Sequence, residues 1–127
     1  MRKGFTLLEL IIVIIIIGVL ATLGFTQYTK LVEKGRAAEA KTILGGLRTA
    51  QQAYMLEYGA YTITMANLGI DAPTACTTTH HFSYSVATAG SGIATRCLAG
   101  GKTVGSSAYT VSLSYAAGTF GGTAGYF

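Results

Sequence analysis

The stretch that decides the fold is Gly4-Phe5-Thr6-Leu7-Leu8-Glu9-Leu10, which continues as an almost purely apolar run to Phe25. Between Phe5 and Phe25 the only ionisable side chain is Glu9. At about 1.5 Å per residue, a helix of this length spans roughly the 30 Å hydrocarbon core of a bilayer, so the stretch predicts a membrane helix. A carboxylate inside such a helix costs on the order of 2.5–3.5 kcal/mol, so we expect Glu9 to have a partner.

Composition limits what the rest of the chain can be. The chain has 127 residues, and 50% of them are apolar, which suits a membrane anchor followed by one small domain. The formal net charge is +4, and it falls to +2 without Arg2 and Lys3, which precede the apolar run. Such a small excess of positive charge gives no reason to assign a nucleic-acid partner.

After the apolar run, the spacing of apolar residues becomes helical. One stripe repeats every three or four residues and consists of Ala40, Ile43, Leu47, Ala50, Tyr54 and Tyr58. Gly59 is placed to end the helix as its C′ residue, so the sequence predicts a nearly continuous helix from Phe5 to Tyr58. The charged residues between Lys30 and Lys41 are interpreted as a solvated helix face with some attraction to lipid headgroups.

The last third of the chain carries strand signals. Alternating apolar residues predict strands at 82–86, 93–98 and 109–115, with glycine-containing turns at 89–92 and 100–102. Residues 116–127 are either a fourth strand or a loose tail. The predicted fold class is therefore α+β, with a long N-terminal helix, half membrane and half amphipathic, packed on a small antiparallel sheet.

Two cysteines, Cys76 and Cys97, both follow the apolar run and predict a disulfide bond. Such a bond closes a loop of about 20 residues and contributes on the order of 3 kcal/mol in the chain-entropy model. A zinc site that also used His80 and His81 is the alternative. It is disfavoured because neighbouring residues on a strand point to opposite faces, so we predict no metal site.

Glycines weaken the membrane half of the predicted helix. Each costs about 1 kcal/mol relative to alanine in a helix interior, while small residues also let neighbouring membrane helices approach closely. Gly18 and Gly24 lie in this half, and we expect the helix to loosen between them if it loosens anywhere.

The segment Gly4-Phe5-Thr6-Leu7-Leu8-Glu9, behind a short basic leader, resembles the class III signal of type IV pilins and pseudopilins. The likeness is close over residues 2–25, and the order of a long helix and a small sheet is also similar. The resemblance implies that a prepilin peptidase cuts between Gly4 and Phe5 and that Phe5 becomes N-methylated. It further implies that Glu9 pairs with the amino terminus of a neighbouring subunit during assembly.

The same resemblance implies a division of the chain into a leader at 1–4, a transmembrane and filament-core helix at 5–25, an amphipathic helix at 26–58, and a loop-and-sheet domain at 59–127. Two features depart from the family pattern. Many relatives have a proline near the position of Thr26, which this chain lacks. Many also bracket the C-terminal region with the cysteine pair, whereas thirty residues follow Cys97.

We therefore expect a structural subunit, the major pilin of a type IV pilus that supports adhesion or twitching motility. The expected partners are copies of the chain in a helical filament, the peptidase, inner-membrane assembly machinery, and the lipid bilayer before assembly. The expected location is the bacterial inner membrane and then an extracellular surface filament.

The alternative is a pseudopilin of a type II secretion system. The main pseudopilin of that system usually holds calcium through acidic residues, and after Glu57 this chain offers only Asp71 and its C-terminus. An enzyme is disfavoured, because His80, His81, one aspartate and a paired cysteine set do not assemble a nucleophile, a base and an orienting acid. No cofactor is predicted.

Overall fold

Helix α1 extends from Leu7 to Tyr58 and is followed by a short 3-10 helix at Met65–Leu68 and a four-stranded sheet. The strands are β1 at Phe82–Val86, β2 at Ser91–Arg96, β3 at Thr110–Ser114 and β4 at Phe120–Gly122. These elements come from a computed structural model that describes residues 2–87, 90–99, 102 and 108–127. The α+β class predicted from the sequence is confirmed.

The chain divides into two compact units, Met1–Val32 and Glu33–Phe127. In the first unit the apolar side chains of α1 are exposed, and the described residues contain one helix that is long and apolar enough to cross a bilayer. The helix continues through Gly18 and Gly24 without interruption. Loosening between these two glycines stays a prediction.

The ends of α1 follow from local chemistry. The helix begins at Leu7, two residues later than predicted, because Thr6 takes the N-cap position. It ends at Tyr58 as predicted, where Gly59 adopts a left-handed φ of 76° and its N–H donates to the Met55 carbonyl at 2.8 Å. Glycine adopts this φ without the steric penalty that a Cβ would impose.

The sheet is an antiparallel meander with strand order β1-β2-β3-β4. Its register pairs Tyr84 with Ala94, Ala94 with Val111, and Val111 with Gly122. The segment 116–127, which the sequence left open, thus contains a fourth strand. Strand β2 begins at Ser91, so the predicted turn at 89–92 was wrong for residues 91 and 92, while its residue 89 lies outside the described residues. Residues 100 and 101 of the other predicted turn also lie outside them.

The core of the second unit forms where α1 packs against one face of the sheet. The helix contributes Ala37, Ala40, Leu44 and Leu47, and the sheet side contributes mainly Phe82, Tyr84, Ala94, Tyr109, Val111 and Leu113. The predicted stripe was right at Ala40 and Leu47, but it was wrong at Tyr58, which is 63% exposed. The buried side chains instead follow the spacing 37, 40, 44, 47 and 51, which keeps one helix face over the sheet.

Candidate functional site

The first candidate site lies at the start of α1, where Thr6 and Glu9 form a reciprocal capping box. The Thr6 backbone N–H and hydroxyl donate to Glu9 Oε2 at 2.8 and 2.9 Å, and the Glu9 N–H donates to Thr6 Oγ1 at 3.2 Å. This arrangement satisfies backbone donors that an α-helix otherwise leaves unpaired at its N-terminus. The sequence analysis did not assign this role to Thr6, although the spacing Thr-x-x-Glu before an apolar run is its signature.

The capping box uses only one oxygen of the Glu9 carboxylate. Glu9 Oε1 accepts no hydrogen bond from the described residues, and among them Glu9 has no ion-pair partner. The carboxylate borders an open apolar groove of about 530 Å³, which is also lined by Phe5, Leu10, Ile12 and Val13. The Glu9 carboxylate is therefore held in place through Oε2 on an apolar helix surface, while its Oε1 has no partner among the described residues.

Gly4 and Phe5, the two residues predicted to flank the cleavage point, lie before the helix. Both are in non-helical backbone, and the Phe5 side chain is 93% exposed. The peptide bond between them thus belongs to an exposed, irregular segment. Such a segment is suited to entering another protein's active site, since its backbone is not held in a helix ladder.

A second cluster, which the sequence analysis missed, is built around Glu33 on the buried face of α1. Glu33 is 3% exposed, and its carboxylate accepts hydrogen bonds from Arg96 Nε at 3.0 Å and Arg96 Nη2 at 3.1 Å. The Tyr109 hydroxyl donates to Glu33 Oε2 at 2.9 Å, and Arg36 Nη1 donates to Oε1 at 2.5 Å. These contacts connect the helix to β2 and to the residue before β3. We call Glu33, Arg96 and Tyr109 the clamp.

The electrostatics of the clamp keep its ion pair charged. Burial alone raises the pKa of the Glu33 carboxyl, but hydrogen bonds from Arg96 and Tyr109 outweigh burial and lower that pKa to about 2. The hydrogen bond to Glu33 in turn raises the pKa of Arg96. Burial, followed by the hydrogen bond to Glu33, raises the pKa of the Tyr109 phenol. The clamp is therefore a structural ion pair rather than a proton-transfer site.

Arg96 also holds the backbone next to the disulfide bond. Its Nη1 donates to the Cys97 carbonyl at 2.5 Å and to the His81 carbonyl at 3.3 Å. Cys76 and Cys97 form the predicted disulfide bond, with 5.6 Å between their Cα atoms. Lys102 lies beside them, and its ammonium donates to the carbonyls of Thr77 and His80.

The disulfide removes both thiolates from the zinc alternative, because a paired cysteine is not a metal ligand. His80 instead uses Nδ1 in hydrogen bonds with the hydroxyls of Thr77 at 2.8 Å and Thr79 at 3.0 Å. Burial lowers the pKa of His81, and the nearby charge of Arg36 lowers it further. Within the described ranges, no cluster of three or more histidine, cysteine, aspartate or glutamate residues could hold a metal ion.

Comparison with known proteins adds two family models that together cover most of the chain. A family described as Type IV pilin-like G and H matches residues 37–123, which is more than half of the chain. The Prokaryotic N-terminal methylation motif matches residues 1–25, which contain Thr6 and Glu9. The two models thus match the sheet domain and the start of α1 independently.

Individual relatives agree with these models. The chain is 42% identical over 60 residues to the type IV major pilin protein PilA of Myxococcus xanthus, covering 47% of this chain and 27% of that protein. It is 39% identical over 71 residues to the fimbrial protein EcpC of Eikenella corrodens, covering 56% and 46%. It is 33% identical over 73 residues to the type IV major pilin protein PilE1 of Neisseria gonorrhoeae, covering 58% and 44%.

These alignments span less than half the length of each relative. The match of the first family model is the decisive observation, because it covers the sheet domain, where the local motifs are least specific. The capping box, the apolar helix and the antiparallel sheet fit the same assignment. The chain therefore belongs to the type IV pilin family.

Proposed function

We propose that this chain is the major structural subunit of a type IV pilus, a helical filament built from many copies. The observation that carries the proposal is an exposed apolar helix that begins with a carboxylate and is followed by a sheet domain of the pilin family. The relatives named as major pilins and fimbrial proteins support a pilus rather than a secretion pseudopilus. The filament serves adhesion or motility at the cell surface.

The proposal includes a processing step at the start of the chain. A prepilin peptidase hydrolyses the peptide bond between Gly4 and Phe5, releases residues 1–4, and leaves a new α-amine on Phe5 that is then methylated. The match of the N-terminal methylation motif to residues 1–25 supports this step. Before assembly, residues 5–25 lie in the inner membrane, where the apolar side chains contact lipid.

In the proposed assembly step, Glu9 receives the Phe5 ammonium of a neighbouring copy. Because the capping box occupies only Oε2, Glu9 Oε1 is available to accept this donor without breaking the helix start. A carboxylate in an apolar environment is strongly stabilised by such a cation. The pair therefore selects a correctly docked neighbour and draws the subunit from the bilayer with help from the inner-membrane machinery.

To test the proposal, fibres are sheared from the surface of cells that express the full chain as their only pilin. We expect electron microscopy to show long fibres, and mass spectrometry of those fibres to show a chain that starts at Phe5 and carries one methyl group there. Glu9→Ala is expected to stay in the membrane without forming fibres. Asp71→Ala, which removes an exposed carboxylate outside α1, is the matched control and should form fibres.

Two results would contradict the proposal. Fibres composed of chains that still begin at Met1 would remove the processing step, and normal fibres from Glu9→Ala would remove the docking role of the carboxylate. A complete absence of wild-type fibres, together with a defect in protein export on deletion, would support the secretion pseudopilus instead.

A further inference from the structure

The sheet leaves one face of α1 uncovered in the second unit. This face is exposed along its length and consists of Gly35, Ala38, Thr42, Gly46, Thr49, Ala53 and Leu56. Leu56 is 90% exposed, although leucine is among the residues that folding most often buries. The face is therefore narrow and smooth, with one large apolar side chain at its end.

Charged residues border the uncovered face on both sides and are sorted by sign. Lys34 and Lys41 are about two helical turns apart and form what we call the basic flank. Glu39 and Glu57 are about five turns apart and form the acidic flank. At about 100° per residue, the two flanks lie about 150° apart around the helix axis.

One cation–π contact and one charge effect relate the two flanks to opposite edges of the sheet. On the basic flank, Lys41 Nζ lies 5.4 Å from the ring centre of Phe120 in β4. On the acidic flank, Glu39 acts on β1, since burial and then the Glu39 charge raise the pKa of Tyr84 to about 12. Strands β1 and β4 are the two edges of the sheet.

The flank charges are not neutralised inside the subunit. Among the described residues, the ion pairs are those of Glu33 with Arg36 and Arg96, and neither involves Lys34, Glu39 or Glu57. Arg36 also lies near the acidic flank, but its guanidinium is 2.5 Å from the Glu33 carboxylate and is already compensated. Lys34 and Glu39 are five residues apart, which places them on different sides of the helix and prevents an intrahelical pair.

We propose that the uncovered face of α1 packs against a second copy of this chain, with the basic flank of one copy against the acidic flank of the next. This inference rests on the proposed function, because it describes a contact within the filament. The two flanks are different surfaces, so the contact is heterologous and leaves one flank free on each terminal copy. A contact of this kind forms a ring or an open helical polymer rather than a two-fold dimer, and the proposed filament is the open form.

The charge pattern favours a second copy over a membrane surface as the occupant. Anionic lipid headgroups would attract Lys34 and Lys41 but would repel Glu39 and Glu57. A second copy offers a partner to both flanks at once. It also covers the small side chains between the flanks, where helix backbones can approach closely, and it buries Leu56.

Charge reversal tests the contact in the full chain. Lys34 and Glu39 are suitable positions because both side chains are exposed and neither has a partner among the described residues. In cells without wild-type subunits, Lys34→Glu and Glu39→Lys are each expected to lower the mass of sheared fibres at least about fivefold, since each places like charges at the interface. The double variant Lys34→Glu/Glu39→Lys should recover most of the wild-type fibre mass.

Two controls separate assembly from folding and from net charge. The amount of each variant in the inner membrane, and its disulfide measured by mobility on a non-reducing gel, should equal those of the wild type. Asp71→Lys makes the same charge change as Glu39→Lys on an exposed residue outside α1, and it should not reduce fibre mass.

Four outcomes contradict the proposal. Wild-type fibre mass from both single variants would show that the flanks do not meet, and a double variant no better than the single ones would show that they do not pair. Loss of Lys34→Glu from the membrane fraction would assign Lys34 to lipid headgroups. Wild-type cells without fibres would overturn the proposed function itself, and the flank contact with it.

Discussion

Glu33 connects α1 to the sheet in the second unit, because its buried carboxylate accepts four hydrogen bonds from three side chains. Removing one partner of a buried ion pair leaves the other charge uncompensated, which costs about 3–5 kcal/mol. We expect Glu33→Gln to lower the free energy of unfolding at pH 7 by about this amount. The measurement is urea unfolding of the full chain in detergent, followed by near-ultraviolet circular dichroism of the core tyrosines. Glu57→Gln, an exposed change, should leave the midpoint unchanged, and an equal shift in both variants would contradict the prediction.

The clamp also predicts how stability changes in acid. The pKa of Glu33 is about 2 in the folded chain and about 4.5 without its contacts. A group with a lowered folded pKa contributes stability that is present above its unfolded pKa and is lost as the pH falls through its folded pKa. Wild-type stability should therefore decrease between about pH 4.5 and pH 2. In the same unfolding measurement Glu33→Gln should show a flatter profile, and parallel profiles would contradict the role of this carboxylate.

Sequence patterns contain part of the information needed to find the clamp. Glu33 continues the buried helical spacing of Ala37 and Ala40, and Arg96 continues the alternation of Gly92 and Ala94 on β2. Glu33 was nevertheless interpreted as part of a solvated helix face, and Arg96 was given no role, because a charge inside a small domain is unfavourable without its partner. The partners are 63 residues apart in the sequence, and only the packing of helix on sheet brings them together.

At the scale of elements, the glycines of α1 and β2 have opposite packing environments. A Cβ added at Gly46 would have no atom within 4 Å, whereas one added at Gly92 would lie 3.0 Å from Tyr115 Oη and 3.1 Å from Leu44 Cδ2. Both neighbours are fully buried side chains that have little room to move. The absence of a side chain at Gly92 thus leaves room for Leu44 of α1 and for Tyr115.

These environments predict opposite effects of the same substitution. Gly46→Ala should raise the free energy of unfolding by about 0.5–1 kcal/mol, because alanine has the higher helix propensity and meets no clash. Gly92→Ala should lower it by about 1–3 kcal/mol through overpacking. Urea unfolding of both variants of the full chain in detergent checks the pair. A loss of stability in Gly46→Ala would show that the uncovered face of α1 is already occupied within the chain.

Elements with strong local sequence signals were predicted correctly, whereas elements that depend on pairing with another strand were not. The end of α1 at Gly59 and strand β1 were predicted correctly, because a C′ glycine and an apolar alternation are local signals. The start of β2 was predicted two residues too late, and the sequence left β4 open between a strand and a loose tail. Both segments are rich in glycine and small polar residues, and their strand conformation depends on pairing with β3 rather than on their own propensity.

At the scale of the whole molecule, the disulfide bond joins the segment before β1 to the segment after β2 in the second unit. Cys76 and Cys97 are 21 positions apart, so the bond closes a loop that contains both strands. Cross-linking a loop of this length restricts the unfolded chain and contributes about 3 kcal/mol in the chain-entropy model. This bond was predicted correctly from the sequence, because the chain has only two cysteines.

We expect Cys76→Ala/Cys97→Ala to lower the free energy of unfolding by about 3 kcal/mol, a large share of the 5–15 kcal/mol typical of a domain. The loss in a variant that also carries Glu33→Gln should differ from the sum of the two separate losses, because the Cys97 carbonyl accepts a hydrogen bond from Arg96, the partner of Glu33. A double-mutant cycle in urea, on the full chain in detergent, measures whether the two losses add. Adding a reductant to the wild type should reproduce the effect of the cysteine substitutions and should leave the variant unchanged. A wild-type midpoint that does not respond to reduction would show that the strands and the clamp hold the second unit without the covalent bond.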